Sequence, residues 1–214
     1  MYRIIDIPSF DARLSDLKKN LTILIGVLLA LTMHASAAHA ARMIPANQWI
    51  TEPGDRLIVN VQTNWGYLFH ERNADYFSFP VVTGQQRMIQ YIGMHYFAAT
   101  PTGHWTVMDD AIKTDHDTFG PTGYFLRLFD DSGRRTAYGI HGNAHSDTWL
   151  AQDIPYRFRS AGCIIVGDDV LSILKKSYAM NGNLLDIVTT GNQELIIEQV
   201  TEREAKDYAA LTYK

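Results

Sequence analysis

A lone cysteine and a histidine, each beside a glycine, are the residues of this chain best suited to covalent chemistry. Cys163 occurs in RSAGCIIV directly after Gly162, and His141 occurs in YGIHGN directly before Gly142. A thiol attacks as its thiolate, and an ordinary pKa of about 8.5 leaves little thiolate at neutral pH, so a neighbouring base is needed. The glycines allow a substrate carbonyl to approach main-chain N–H groups that can hold an oxyanion. The pattern predicts a nucleophile and its base in one cleft, and an ion pair between them would lower the pKa of the thiol.

Both residues also have ordinary interpretations, which stay open at this level. A lone cysteine is commonly a small buried hydrophobe, and Cys163 runs into an aliphatic stretch at residues 164–166. A zinc site could be assembled from four side chains: His141, His145, Asp147 and Cys163. However, the His-x3-His spacing suits a helix, whereas His141 is predicted at the end of a strand. We therefore predict no metal and no cofactor.

The N-terminal residues predict export. An uncharged apolar run occupies residues 21–33, and Ala38-His39-Ala40 follows as a small-x-small cleavage site. Three basic residues precede the run: Arg13, Lys18 and Lys19. Thirteen apolar residues are fewer than the roughly 20 that span a bilayer, so residues 1–40 are interpreted as a cleaved secretory signal, with an uncleaved anchor as the alternative. We predict a periplasmic or cell-wall protein with no stable membrane span after cleavage, in which a single thiol is a liability unless it is buried or used.

The remaining chain predicts one mainly β domain. Strands are predicted at residues 57–63, 67–71, 76–83, 104–108, 124–130, 135–141, 183–190 and 193–200, and a helix capped by Asp168 at residues 168–178. We assign residues 41–200 to this domain and predict a polar, helical tail at residues 201–214. The formal net charge is −4 and no basic run is present, which excludes the electrostatic footprint of a nucleic-acid-binding protein.

The predicted strands bring the two reactive residues to neighbouring ends of the sheet. The chain leaves the sheet at His141 and re-enters it at Cys163, and the residues between them are predicted to form a long loop. Loops longer than about 12–15 residues are uncommon in compact domains and are usually functional or disordered. The loop and the two strand ends therefore predict a cleft that contains both side chains.

Two stretches resemble the L,D-transpeptidase (YkuD-type) family. GIHGN…RSAGCIIVGDDVLSIL is similar to the family pattern of His-Gly, a loop, Ser-His-Gly-Cys and a helix with an acidic start. VVTG at residues 81–84 and TPTGHWTV at residues 100–107 are similar to the family's upstream segments, although Thr-Pro-Thr-Gly by itself also suits an ordinary turn. The resemblance covers about residues 57–190.

The resemblance implies a fold, a reaction and roles for residues. The fold is a β-sandwich with one or two helices after the cysteine motif. Cys163 resembles the nucleophile and His141 its base, the carbonyl of Gly142 would orient the imidazole, and main-chain N–H groups around Gly162 and Cys163 would hold the oxyanion. Family members cleave the bond between diaminopimelate and D-Ala in peptidoglycan stem tetrapeptides through a thioester, which is passed to an amine or to water.

Two departures from the family pattern affect substrate binding. Ala161 occupies the position of the usual histidine, and Ile165 the position of a usual arginine or asparagine. A guanidinium can bind a carboxylate from another backbone position, so we expect Arg157 or, in preference, Arg159 to replace the missing anchor. Two further residues of the motifs complete the candidate substrate-binding set: Tyr138 and Ser160.

The sequence leaves several functions open. A strict L,D-carboxypeptidase and an exported toxin that damages a competitor's wall would use the same thioester as a cross-linking enzyme. A non-catalytic peptidoglycan-binding module is the alternative from another class, because the two departures remove polar groups near the substrate.

Overall fold

The computed structural model describes residues 42–72 and 75–192. The predicted secretory signal (1–40), the strand at residues 193–200 and the helical tail (201–214) lie outside the described residues. Within the described residues, no helix is long and apolar enough to cross a membrane.

Strands dominate the described part of the chain, as the sequence predicted. In chain order they are β1 (Arg56–Asn60), β2 (Trp65–Phe69), β3 (Tyr76–Pro80), β4 (Thr83–Gly84), β5 (Met88–Tyr91), β6 (Met94–Phe97), β7 (Gly103–Ile112), β8 (Tyr124–Phe129), β9 (Arg135–His141), β10 (Phe158–Ser160), β11 (Ile164–Ile165) and β12 (Leu185–Thr190). The α-helices are α1 (His116–Phe119), α2 (Ser146–Leu150) and α3 (Asp168–Met180), and 3-10 turns lie at Ala46–Gln48 and Ile154–Arg157.

One curled eight-stranded sheet forms the body of the domain, in the order β11-β9-β8-β7-β12-β1-β2-β3. Most neighbours are antiparallel, but β1 pairs with β12 and β11 with β9 in parallel. The pairs β4–β10 and β5–β6 form two small additional sheets. The mainly β transpeptidase-like fold is therefore confirmed, with one described helix after the cysteine motif.

The core lies between one face of the main sheet and α3. Leu126, Ile140 and Ile164 come from three adjoining strands and are fully buried. They belong to the same apolar cluster as Leu171 and Leu174 on the inner face of α3. This packing fixes the register of β11 against β9. It therefore also fixes the position of the cysteine turn (residues 160–163), which directly precedes β11.

Several predicted boundaries need correction. Strand β7 runs for ten residues rather than the five predicted. The segment predicted as a loop between His141 and Ser160 contains α2, a 3-10 turn and the start of β10. The predicted cap of α3 is also wrong, because Gly167 is the capping position and Asp168 begins the helix.

The β5–β6 hairpin was not predicted from the sequence. Its turn places Ile92 and Gly93 at φ values of 47° and 75°, in the left-handed region that two-residue hairpin turns require. The hairpin carries exposed apolar side chains, and it brings Tyr96 over the cysteine turn.

Candidate active site

His141 ends strand β9 in apolar surroundings. Across the sheet it pairs with Phe125 of β8 and with Ile165 of β11. The imidazole centre lies 5.6 Å from the ring of Phe125 and 5.0 Å from that of Phe119. Because the histidine is only 4% exposed, its charged form has lost almost all of its hydration.

Hydrogen bonding fixes the tautomer of His141. Its Nδ1 donates to the carbonyl of Gly142 at 2.6 Å, the contact expected to orient the ring. Burial lowers the pKa of His141 to about 4, although main-chain contacts with Gly142 and Thr118 act in the opposite direction. The ring is therefore neutral at pH 7, and Nε2 is the basic nitrogen.

Gly142 is required by its close contact with the start of α3. A side chain added there would place its Cβ 2.8 Å from Oδ1 of Asp168. The glycine thus allows the strand end and the helix start to approach each other directly behind the histidine.

Cys163 lies diagonally across the sheet from His141. Ile164 pairs with Ile140, so Cys163 lies beside Gly139 of β9. The main-chain N–H of Gly139 donates a hydrogen bond to the Cys163 sulfur. Burial raises the pKa of the Cys163 thiol, while the Gly139 N–H and the positive charge of Arg127 partly oppose that shift. The expected ion pair is therefore wrong for the unliganded protein: both groups are neutral, and no hydrogen bond joins them in the described part of the chain.

The turn that presents the cysteine is closed by Ser160. The Ser160 hydroxyl donates to the carbonyl of Cys163 at 2.6 Å and accepts from the N–H of Gly162 at 3.0 Å. Gly162 has a φ of +117°, and a Cβ there would lie 2.6 Å from the ring of Tyr138. The N–H of Gly162 is therefore occupied, contrary to the expected oxyanion role, whereas within residues 42–72 and 75–192 the N–H of Cys163 has no acceptor.

Two further side chains hold the cysteine turn from outside. Thr100 accepts from the N–H of Gly84 and donates to the carbonyl of Gly162, both at 3.0 Å. Tyr96, on the unpredicted hairpin, donates to the carbonyl of Ala161 at 2.8 Å. Thr100, from one of the upstream motifs, and Tyr96, from the hairpin, therefore both hold the turn in place. The sequence signal that could have revealed Tyr96 is the alternation of MIQYIGMHYF about Gly93.

The two candidate arginines lie in different environments. Arg157 is buried and donates to the carbonyls of Gln152 and Asn64 at 2.8 and 3.3 Å, so its guanidinium supports the loop. Arg159 is exposed, and its Nη2 donates to Oε1 of Gln152 at 2.9 Å. Only Arg159 of the two faces a surface cleft.

This cleft has a volume of about 610 Å³ and adjoins the cysteine turn. Its walls combine aromatic and polar side chains, among them Gln86, Arg87, Trp149, Tyr156, Phe158 and Arg159. The N–H of Gln85, at its edge, donates to the carbonyl of Ser160 at 3.0 Å. The cleft therefore lies beside Ser160, and its lining residues include neither Cys163 nor His141.

The residues of the alternative zinc site take other positions. His145 precedes α2 and packs against Trp149, with 5.8 Å between ring centres, while Asp147 lies in the first turn of that helix. Over the described ranges, no group of three or more His, Cys, Asp or Glu residues could hold a metal ion.

Comparison with known proteins identifies a family. Residues 54–187 match the family model YkuD, described as the L,D-transpeptidase catalytic domain. No curated protein matches the chain.

Several solved structures are similar to this chain at low sequence identity. An L,D-transpeptidase from Xylanimonas cellulosilytica is 17% identical, with 65% of this chain and 62% of that chain covered and a TM-score of 0.44. Bd1075 from Bdellovibrio bacteriovorus is 13% identical, with coverage of 82% and 60% and a TM-score of 0.46. The catalytic domain of an E. faecium L,D-transpeptidase is 14% identical, with coverage of 64% and 96% and a TM-score of 0.37. The chain thus spans about three fifths of the length of the first two structures.

The raised pKa of Cys163 predicts slow alkylation of the unliganded protein. We expect iodoacetamide to react with the thiol more slowly at pH 7 than with a free cysteine peptide, and to accelerate only at a higher pH than it does with that peptide. His141→Asn should leave this profile nearly unchanged, because the ring does not bond the thiol. If the wild-type thiol is instead alkylated rapidly at pH 6, and His141→Asn loses this reactivity, the two residues do form an ion pair.

The lowered pKa of His141 predicts a loss of stability on acidification. The unfolded chain binds a proton near pH 6.5 and the folded protein only near pH 4, so the stabilisation present above pH 6.5 is lost as the pH falls towards 4. Between pH 7 and pH 5 the free energy of unfolding should drop by about 2 kcal/mol from this group. Urea titrations at both pH values should show that His141→Asn loses this decrease in the free energy of unfolding. The control variant His145→Asn, which changes an exposed histidine nearby, should retain it. Equal slopes in both variants would contradict the assignment.

Proposed function

Because the chain belongs to the L,D-transpeptidase catalytic domain (YkuD) family, we propose that it is an exported cysteine acyltransferase acting on peptidoglycan stem tetrapeptides. The observation that carries this proposal is the position of a neutral His141 at the end of β9 and of Cys163 directly before the neighbouring strand β11. A neutral imidazole can take the proton that the thiol must lose, which an imidazolium cannot do.

The first half of the proposed reaction forms a thioester. When substrate enters, a side-chain rotation brings the thiol to Nε2 of His141, and the proton moves from sulfur to nitrogen. Cys163 attacks the carbonyl carbon at the L-centre of diaminopimelate, and the N–H of Cys163 holds the oxyanion. The carbon–nitrogen bond then breaks, and D-Ala leaves as an amine that takes the proton from His141.

The second half returns the enzyme to its starting state. An amine of a second stem peptide, or water, gives a proton to His141 and attacks the thioester carbonyl. The carbon–sulfur bond breaks and the thiol regains its proton. An amine acceptor produces a cross-link and water produces a tripeptide, so one site supports transpeptidase or carboxypeptidase activity.

The candidate substrate-binding residues divide into two groups. Tyr138 lies over Gly162 and, with Ser160, shapes the turn against which the peptide would lie. Arg159 faces the large cleft, where it would bind the carboxylate at the D-centre of diaminopimelate, six bonds from the attacked carbon. Arg157 positions the loop from beneath. The proposed substrate and the predicted N-terminal signal both favour the periplasm or cell wall as the location of the proposed activity.

A non-catalytic peptidoglycan-binding module remains the second candidate, favoured by the raised pKa of the thiol. The two candidates differ in whether a covalent intermediate forms. A wall-damaging toxin would share the thioester and differ only in its target.

Substitution of the nucleophile tests the proposed reaction. Cys163→Ala should abolish turnover of a tetrapeptide muropeptide, by at least about 10³-fold, and leave the circular dichroism spectrum unchanged. Mass spectrometry should show dimer or tripeptide from the wild type, and one covalent adduct after exposure to a carbapenem, since carbapenems inhibit the family that the chain resembles. Peptide binding without product or adduct would indicate the non-catalytic module.

Paired substitutions test the two arginines. Arg159→Gln should lower kcat/KM for the muropeptide roughly 10–150-fold, the loss of about 1.5–3 kcal/mol from a charged hydrogen bond, with no change in Tm. Arg157→Gln should instead lower Tm, because it removes the hydrogen bonds that the buried guanidinium donates to the carbonyls of Gln152 and Asn64. If Arg159→Gln stays within twofold of the wild type, the carboxylate is bound elsewhere.

A further inference from the structure

Arg127 lies on the same face of the sheet as the two reactive residues. Strand β8 pairs with β9 so that Phe125 is opposite His141 and Arg127 opposite Gly139. Since side chains alternate along a strand, these residues point away from the core that contains Leu126. Cys163, level with Gly139 on the other side, completes a row that runs from Arg127 through Gly139 to Cys163.

Gly139 leaves room at the centre of this row for the ring of Phe125. A Cβ at this position would lie 2.3 Å from Cζ of Phe125, whose ring therefore covers the bare main chain. The guanidinium carbon of Arg127 lies 4.4 Å from the centre of the same ring. No side chain of β9 stands between the guanidinium and the thiol, and the phenyl ring forms an apolar floor beneath them.

The guanidinium has unused binding capacity. Nη1 of Arg127 donates to the carbonyl of Thr136 at 3.0 Å, whereas Nε is buried without an acceptor. Asp109, its partner across β7, lies 3.7 Å from Nη2 of the neighbouring Arg135. Among the described residues no carboxylate forms an ion pair with Arg127. Half-buried cations are usually paired, so an anion from outside the chain would complete this group.

Position relative to the thiol selects which carboxylate fits. In a stem tetrapeptide, the terminal carboxylate of the leaving residue is three bonds from the attacked carbonyl carbon, and the D-centre carboxylate is six. An arginine in the same row as the sulfur suits the terminal carboxylate, which is the nearer of the two to the attacked carbon. Ile165, at the family's polar position, is buried and apolar and can bind neither.

We propose that Arg127 binds the terminal carboxylate of the leaving D-amino acid, so that Cys163 attacks only the last peptide bond of the stem. This assignment rests on the proposed function and adds the residue that sets its specificity. When the leaving residue departs, the same guanidinium can bind an incoming amine acceptor whose amine-bearing carbon also carries a carboxylate.

A matched pair of peptides tests the assignment. We would compare a tetrapeptide ending in a free carboxylate with the same peptide ending in a carboxamide, and measure kcat/KM for release of the last residue. The wild type should prefer the carboxylate roughly 10–150-fold. Arg127→Gln should reduce the preference to within about threefold, because it loses much more activity on the carboxylate peptide than on the carboxamide peptide. Arg127→Lys should retain part of the preference, because lysine binds as a point charge.

Control variants separate this role from others. Arg135→Gln, which removes an exposed arginine at the opposite end of β9 from His141, should keep the preference of the wild type. An equal loss on both peptides in Arg127→Gln would overturn the proposal and indicate a role in thiolate formation or folding, as would a wild type without preference.

Failure of the proposed function is distinguishable from failure of this inference. If the wild type releases nothing and forms no thioester, the reaction is wrong, but calorimetry with Cys163→Ala still measures binding of both peptides. Tighter binding of the carboxylate peptide that disappears in Cys163→Ala/Arg127→Gln supports the anchor, and equal binding overturns it.

Discussion

The parallel pairing of the two-residue strand β11 with the end of β9 is the constraint on which the site depends. It places Ile164 beside Ile140 in the core and therefore Cys163 beside Gly139 on the opposite face. Cys163 and Gly139 are far apart in the sequence, so the strand pairing is what brings them together. The apolar contacts of α3 with this edge stabilise the register, and a one-residue slip would exchange the two faces.

Burial determines the electrostatics of the site. It favours the neutral forms of both Cys163 and His141, so Cys163 is a thiol and not a thiolate in the unliganded protein. The free energy needed to form the thiolate is then required only after substrate has bound. At that stage the substrate excludes water, and electrostatic interactions in the site are stronger. This arrangement protects a single thiol in an oxidising compartment, the environment that the N-terminal sequence predicts.

Motif spacing singled out Cys163 and His141 as candidate site residues, and alternation located most strands, because both signals are local. Arg127 was missed because an arginine in YFLRLFD looks like an ordinary strand charge, and only the register of β8 against β9 shows that it faces the cysteine. The oxyanion role given to Gly162 failed for a similar reason, since the turn that engages its N–H depends on the rotamer of Ser160.

Arginine at position 127 and isoleucine at position 165 are two aspects of one arrangement. A cation on β11 at position 165 would lie beside His141 in the sheet and oppose its protonation during the reaction. On β8 the charge lies on the far side of Gly139, next to the thiol row, while His141 keeps apolar neighbours on both strands. Moving the positive charge across the sheet therefore separates the group that must bind an anion from the group that must accept a proton. The glycine at position 139 makes that separation possible, because a side chain there would displace the ring of Phe125, against which the guanidinium of Arg127 packs.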